Sequence, residues 1–157
     1  MKLAQPAAAA AADDDDVIDA LAQIAFATMA VLSKAAADND LSLTQLRAIE
    51  ILRDRRLRMS ELAELLGLEK STLSGLVLRA EKRGLLQRVP DDGDRRSVRV
   101  TIAPDGAQLA LSTRATIGTA MMPLIDALDG AEQRQLQELL ERMLARVRFA
   151  APPPGAE

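Results

Sequence analysis

Two stretches of this chain carry side chains suited to contact with a polyanion. The first is KSTLSGLVLRAEK, residues 70–82, where hydroxyls and cations recur within a helical pattern. Turned at about 100° per residue, Leu73, Leu76, Val77 and Ala80 fall on one side, and Ser71, Ser74, Gly75, Leu78, Arg79 and Lys82 on the other. With Thr72, the outward set holds three hydroxyls and two cations. Hydroxyls bond base edges or phosphate oxygens, and Arg or Lys neutralises phosphate. Gly75 costs about 1 kcal/mol against Ala in a helix interior. At the centre of an outward face, that cost suggests close backbone approach to another surface. Leu78 is suited to a thymine methyl, or is one of the scattered surface leucines common in proteins. The second stretch is DDGDRRSVRV, residues 91–100. It reads as the charged tip of a hairpin and the start of its return strand. Arg95 and Arg96 at such a tip suit a narrow minor groove, where negative potential concentrates. Asp94 is expected to hold Arg96 in a carboxylate–guanidinium fork. As an isolated surface pair it contributes only about 0–1 kcal/mol; directly after a short helix, a tight turn at Gly67 and a second helix, together a helix-turn-helix, it reads as a wing.

Other chemistries find little support. The chain has no Cys and no His, which excludes disulfides, thiol or imidazole nucleophiles and the usual Cys/His zinc sites. No Gly-rich phosphate loop is present, and the acidic residues form no recognisable pocket motif, so no enzyme activity, cofactor or metal is expected. Net charge is −3, but it is unevenly placed. Residues 44–100 contain 13 Lys/Arg and 9 Asp/Glu, while the rest of the chain contains 7 and 14. A basic middle between acidic ends suggests that only the middle meets a polyanion.

The elements that must position these groups are six helical segments and one hairpin. Residues 1–15 read as an Ala/Asp tail and 149–157 as a second tail, both disordered. The opening residues loosely mimic an export signal, but Pro6 and four successive Asp argue against one. No uninterrupted apolar run of about eighteen residues occurs, so no membrane span and a cytoplasmic location are expected. The first helix covers about 16–37, with Val17, Leu21, Ile24, Thr28, Val31 and Leu32 at helical spacing. The second opens on a Ser42/Gln45 capping box, with Leu41 stapled to Leu46, and runs to about Arg55. Ser60 is expected to cap the third helix and Gly67 to end it; Gly84 stops the fourth. LLQRV and SVRVTI form the hairpin. Pro104 opens a fifth helix that reaches about Leu128, and Asp129 with Glu132 opens the sixth. The expected fold is mainly α with a small two- or three-stranded β wing. A winged helix-turn-helix over about 42–103 is joined to dimerisation helices over 16–37 and 104–148, the whole forming one domain over 16–148.

From about Leu43 to Gly106 the chain resembles the MarR family of bacterial transcription regulators. The resemblance is carried by LTQLRAIEIL, by MSELAELLGLEKSTLSGLVLRAEKRGLLQR and by DDGDRRSVRVTIAPDG. The family's wing signature is D-x-R, five residues, then L-T. Asp94 and Arg96 match it, while Ile102 and Ala103 replace the final pair. Glu69 stands where the family often has a Ser or Thr cap, and Gly75 where many members carry a side chain that reaches bases. The resemblance implies a homodimer interlocked through its first, fifth and sixth helices. The bare apolar patch Met121, Met122, Leu124 and Ile125 and the wide stripe of the sixth helix agree with that. It also implies a repressor on a pseudo-palindromic operator in double-stranded DNA, released by a small aromatic or lipophilic effector. Phe26, Met29, Ile49 and Met121 are the effector-pocket candidates by position, with core packing as their other role. The absence of Cys excludes the family's peroxide-sensing branch, and the absence of His argues against the zinc-sensing one. The alternative is a winged-helix protein-interaction module without a DNA target, which the acidic total charge favours and the basic middle opposes.

Overall fold

The computed structural model describes residues 14–91, 93 and 97–150, the last four by backbone alone. The elements follow in the order α1 (Asp14–Ala37), α2 (Leu43–Leu52), β1 (Leu57–Arg58), α3 (Met59–Leu66), α4 (Lys70–Lys82), β2 (Leu86–Pro90), β3 (Val98–Ile102), α5 (Pro104–Ile125) and α6 (Gly130–Ala150).

Local signals set most helix ends. The Gln45 amide donates to Ser42 Oγ at 3.1 Å, and the Ser42 amide donates to Gln45 Oε1 at 2.8 Å, closing the expected capping box of α2. At the start of α6 the amides of Ala131 and Glu132 donate to Asp129 Oδ1 at 2.7 and 2.9 Å. These amides, Glu132 first, hold the Asp129 carboxyl below its ordinary range. Gly67 and Gly84, at φ 65° and 69°, end α3 and α4 in the left-handed conformation that glycine adopts without a Cβ clash. Two helices stop short of the sequence expectation. α2 ends at Leu52 and α5 at Ile125, with one further turn-like bond from the Leu128 amide to the Ile125 carbonyl.

The start of α3 corrects the sequence reading. Ser60 is not its cap. The helix begins at Met59, and the amide of the preceding Arg58 donates to the Glu61 carboxylate at 2.7 Å. The cause is tertiary: Leu57 and Arg58 are drawn into the sheet as β1. That sheet has three strands in the order β1-β3-β2, both pairs antiparallel. β2 and β3 pair from Leu86↔Ile102 to Pro90↔Val98, while β1 adds Leu57↔Val100 and Arg58↔Arg99.

The core lies beneath the helix-turn-helix. Ile49 and Leu52 of α2, Leu62 of α3, Leu73 and Val77 of α4 and Val100 of β3 are all at or below 1% exposure. α5 closes this core from the other side through Ala110 and Gly106. The Ala103 amide donates to the Leu85 carbonyl at 3.0 Å, and the backbone at Gly106 presses on that same carbonyl. A Cβ at Gly106 would lie 2.0 Å from Leu85 O, so only glycine fits.

The long helices are less well covered. In α1 only Ala35 and Ala36 are buried; Thr28, Val31 and Leu32 are half-buried, and Val17, Leu21 and Ile24 are exposed. Among the described residues α6 has no buried side chain, and Leu136, Leu139, Leu140, Met143 and Leu144 all face outward. By length and a mean hydropathy of 1.5, α1 is long and apolar enough to cross a membrane, yet it packs along α2 and α5. Like α6, it leaves an apolar stripe uncovered in the single chain.

Candidate nucleic-acid interface

α4 presents two chemically distinct faces. Leu73, Leu76, Val77 and Ala80 are buried, as their spacing requires, and Ser71, Thr72, Ser74, Leu78, Arg79 and Lys82 are exposed, with Gly75 half-buried among them. Ser74 Oγ donates to the Lys70 carbonyl at 2.9 Å, so its proton is engaged and its lone pairs face outward. A Cβ at Gly75 would sit 3.4 Å from Arg79 Nη1, an ordinary contact. The glycine is therefore no steric necessity within the chain; the Arg79 side chain folds back over it. Glu69 occupies the N-cap position without a side-chain cap bond. Lys70, Arg79 and Lys82 make this outer face cationic.

Not every basic residue near α4 belongs to that face. Arg83 donates to the carbonyls of Asp40 at 2.6 Å and Asn39 at 2.9 Å, bracing the α1–α2 turn where Asp40 takes φ 54°. Arg88 of β2 reaches Glu81 of α4 at 3.2 Å and ties the wing to the helix.

The expected wing contacts Asp94, Arg95 and Arg96 lie outside the described residues. The described part of the hairpin holds a group that the sequence reading did not single out. Asp91, 4% exposed, follows β2. Its Oδ2 accepts from Arg58 Nε and Nη2, each at 2.9 Å. Its Oδ1 accepts from Arg99 Nε at 3.0 Å and from the Gly93 amide at 3.2 Å. Its own amide donates to the Ser97 carbonyl at 3.0 Å. Arg99 also donates to the Arg56 carbonyl at 2.9 Å. The Arg99 hydrogen bond, the Gly93 amide and Arg58 hold the Asp91 carboxyl down at about 2, against the opposing effect of burial. In sequence Asp91 is one acid in a charged run; its partner Arg58 lies 33 residues away, beyond any local pattern.

The four effector-pocket candidates are not brought together. Ile49 is core, Phe26 is 76% exposed, Met29 is exposed and Met121 half-buried. A cavity of about 350 Å³ opens instead between α1, α2 and α5, lined by Leu32, Glu50, Arg114, Ile117 and Gly118. There Glu50 Oε2 accepts from Arg53 at 3.0 Å, while its buried Oε1 has no donor among the described residues.

Residues 39–97 match the family model described as MarR family. Over that segment, less than half of the chain, the sequence is similar to the MarR family. No curated protein matches the chain in sequence. Solved structures of similar fold include AbsC, a MarR family transcriptional regulator from Streptomyces coelicolor, with 20% identity over 88% of this chain and 97% of that one at a TM-score of 0.70. RV1404 from Mycobacterium tuberculosis has 22% identity over 96% and 99%, at 0.73. A point mutant of MepR from S. aureus, solved bound to an oligodeoxyribonucleotide, has 19% identity over 83% and 97%, at 0.59. At these identities the likeness is one of fold. It extends over 83–96% of this chain, well beyond the segment that the family model matches.

Proposed function

We propose that this protein is a sequence-specific DNA-binding transcriptional regulator, a repressor that works as a homodimer. The observation that carries this reading is the outer face of α4. Ser71, Thr72, Ser74, Arg79 and Lys82 stand exposed there, on a helix whose other side is fully packed. Such a helix enters a major groove, with hydroxyls and cations toward bases and phosphates. Asp94, Arg95 and Arg96 would reach the adjoining minor groove. The functional unit is 16–148, with the winged helix over 42–103 and the pairing helices over 16–37 and 104–148. Pairing would cover the exposed leucines and methionines of α1, α5 and α6. It would also set two reading heads on pseudo-palindromic half-sites roughly 10 bp apart. The role is regulatory and not enzymatic, and its setting is the cytoplasm, where DNA is. A small apolar effector in the cavity beside Leu32 and Ile117 would act by favouring a head spacing that no longer fits DNA.

The test is a fluorescence anisotropy titration of the chain against DNA upstream of its own gene, repeated at several salt concentrations. The expected result is saturable binding that weakens steeply as salt rises, because phosphate contacts release counterions. Absence of binding at low salt would leave the protein-interaction module as the better reading.

A further inference from the structure

Arginines at the end of a hairpin reach a groove only if the hairpin is aimed. We infer that Asp91 is the positioning residue that aims the wing at DNA, by clamping the hairpin to the helix-turn-helix through Arg58 and Arg99. This inference rests on the DNA-binding reading above.

One buried carboxylate gathers four elements. It terminates β2, takes two donors from Arg58 of β1 and one from Arg99 of β3. Arg58 is also the residue from which α3 departs, its amide held by Glu61. The clamp therefore joins the hairpin to the first helix of the helix-turn-helix, while Arg88 and Glu81 join it to the second. The position of the clamp explains its role. The ladder from Leu86↔Ile102 to Pro90↔Val98 holds the strands together without it, and Leu86 and Val100 seat the inner end of the hairpin in the core. What these leave least constrained is the outer end of the hairpin, past the Arg58↔Arg99 pair, where β1 stops and only two strands continue. Three charged bonds converging on one nearly buried carboxylate remove that freedom before any ligand arrives. The same bonds engage Arg58 and Arg99 on the carboxylate.

The test uses a duplex enriched by the wild-type protein from a random-sequence pool, and four proteins: wild type, Asp91→Asn, Arg96→Ala and the double variant. Asp91→Asn is expected to weaken binding roughly 5- to 150-fold, the range for one lost base contact. In the Arg96→Ala background the same change should cost less than about twofold, the margin within which independent effects add. Hydroxyl-radical footprints of Asp91→Asn should lose protection at the flanks and keep it at the centre. A merely structural role would lower affinity equally in both backgrounds and thin the whole footprint, and that result overturns the inference. Should Asp91→Asn fail to fold, Arg58→Met carries the same cycle, since it leaves Arg99 and the Gly93 amide on the carboxylate. If no duplex is enriched, the DNA-binding reading falls and this inference with it. If one is enriched and binds Asp91→Asn as tightly as wild type, the inference alone falls.

Discussion

Two glycines inside helices, given the same substitution, should respond with opposite signs. At Gly106 a Cβ would lie 2.0 Å from Leu85 O, 2.8 Å from Leu85 C and 3.0 Å from Ile102 Cγ1. Two of these atoms are backbone, so no side chain can swing aside. The first turn of α5 must lift from the α4–β2 connection by more than about 1 Å to reach an ordinary carbon–oxygen separation. Overpacking of this kind costs about 3 kcal/mol, the upper part of the usual range. The lift also strains the bond from the Ala103 amide to the Leu85 carbonyl, a further loss of about 1 kcal/mol. Alanine returns about 1 kcal/mol of helix propensity. Gly106→Ala is therefore expected to destabilise by about 3 kcal/mol and to lower Tm by about 6–12 °C. At Gly75 the added Cβ would meet only Arg79 Nη1, at 3.4 Å. There the propensity gain stands alone, and Gly75→Ala should stabilise by about 0.5–1 kcal/mol. Thermal and urea unfolding of both variants at one fixed protein concentration checks this, since a dimer's Tm depends on concentration. A neutral or stabilised Gly106→Ala protein would refute the close approach of α5 to Leu85.

The remaining expectations concern binding, pH and assembly. Arg96→Ala should weaken DNA binding by about 1–3 kcal/mol, most at sites with A·T-rich flanks, in titrations at fixed salt. Gly75→Ala, although better folded, should bind the same duplex less tightly if the α4 backbone closes on DNA, and equal affinity would show that it does not. Asp91 titrates near 2 when folded, below its ordinary 3.8. Its contribution to stability is thus fully present above about pH 4 and disappears as pH falls through about 2. The gap in urea midpoint between wild type and Asp91→Asn should stay level from about pH 5 to 8 and shrink on acidification below about 4. Leu140→Glu places a charge on the exposed stripe of α6. It should shift the protein from dimer to monomer in analytical ultracentrifugation, while the far-ultraviolet circular dichroism of the winged helix persists.

Where an element depends on its own neighbours, the sequence alone determined it. The Ser42/Gln45 box, the Asp129 cap and the turn at Gly84 each act within a few residues, and each stands where local pattern puts it. The two faces of α4 follow from a 3.6-residue period and need no partner to be seen. The apolar faces of α1 and α6 are legible in the same way. Tertiary structure decided everything whose partners are distant. Leu57 and Arg58 are too few to show a strand period, and only pairing with Val100 and Arg99 makes them β1 and moves the start of α3 from Ser60 to Met59. Asp91 is one acid among several until strand register brings Arg58 and Arg99 to it. Arg83 reads as the end of a basic helix until the α1–α2 turn, 43 and 44 residues away, offers it two carbonyls. Nothing local sets Gly106 apart until Leu85 lies against it. Periodicity and capping are properties of a chain with itself over one or two turns. A buried ion pair or a backbone contact exists only once the packing of the whole has chosen which distant residues meet.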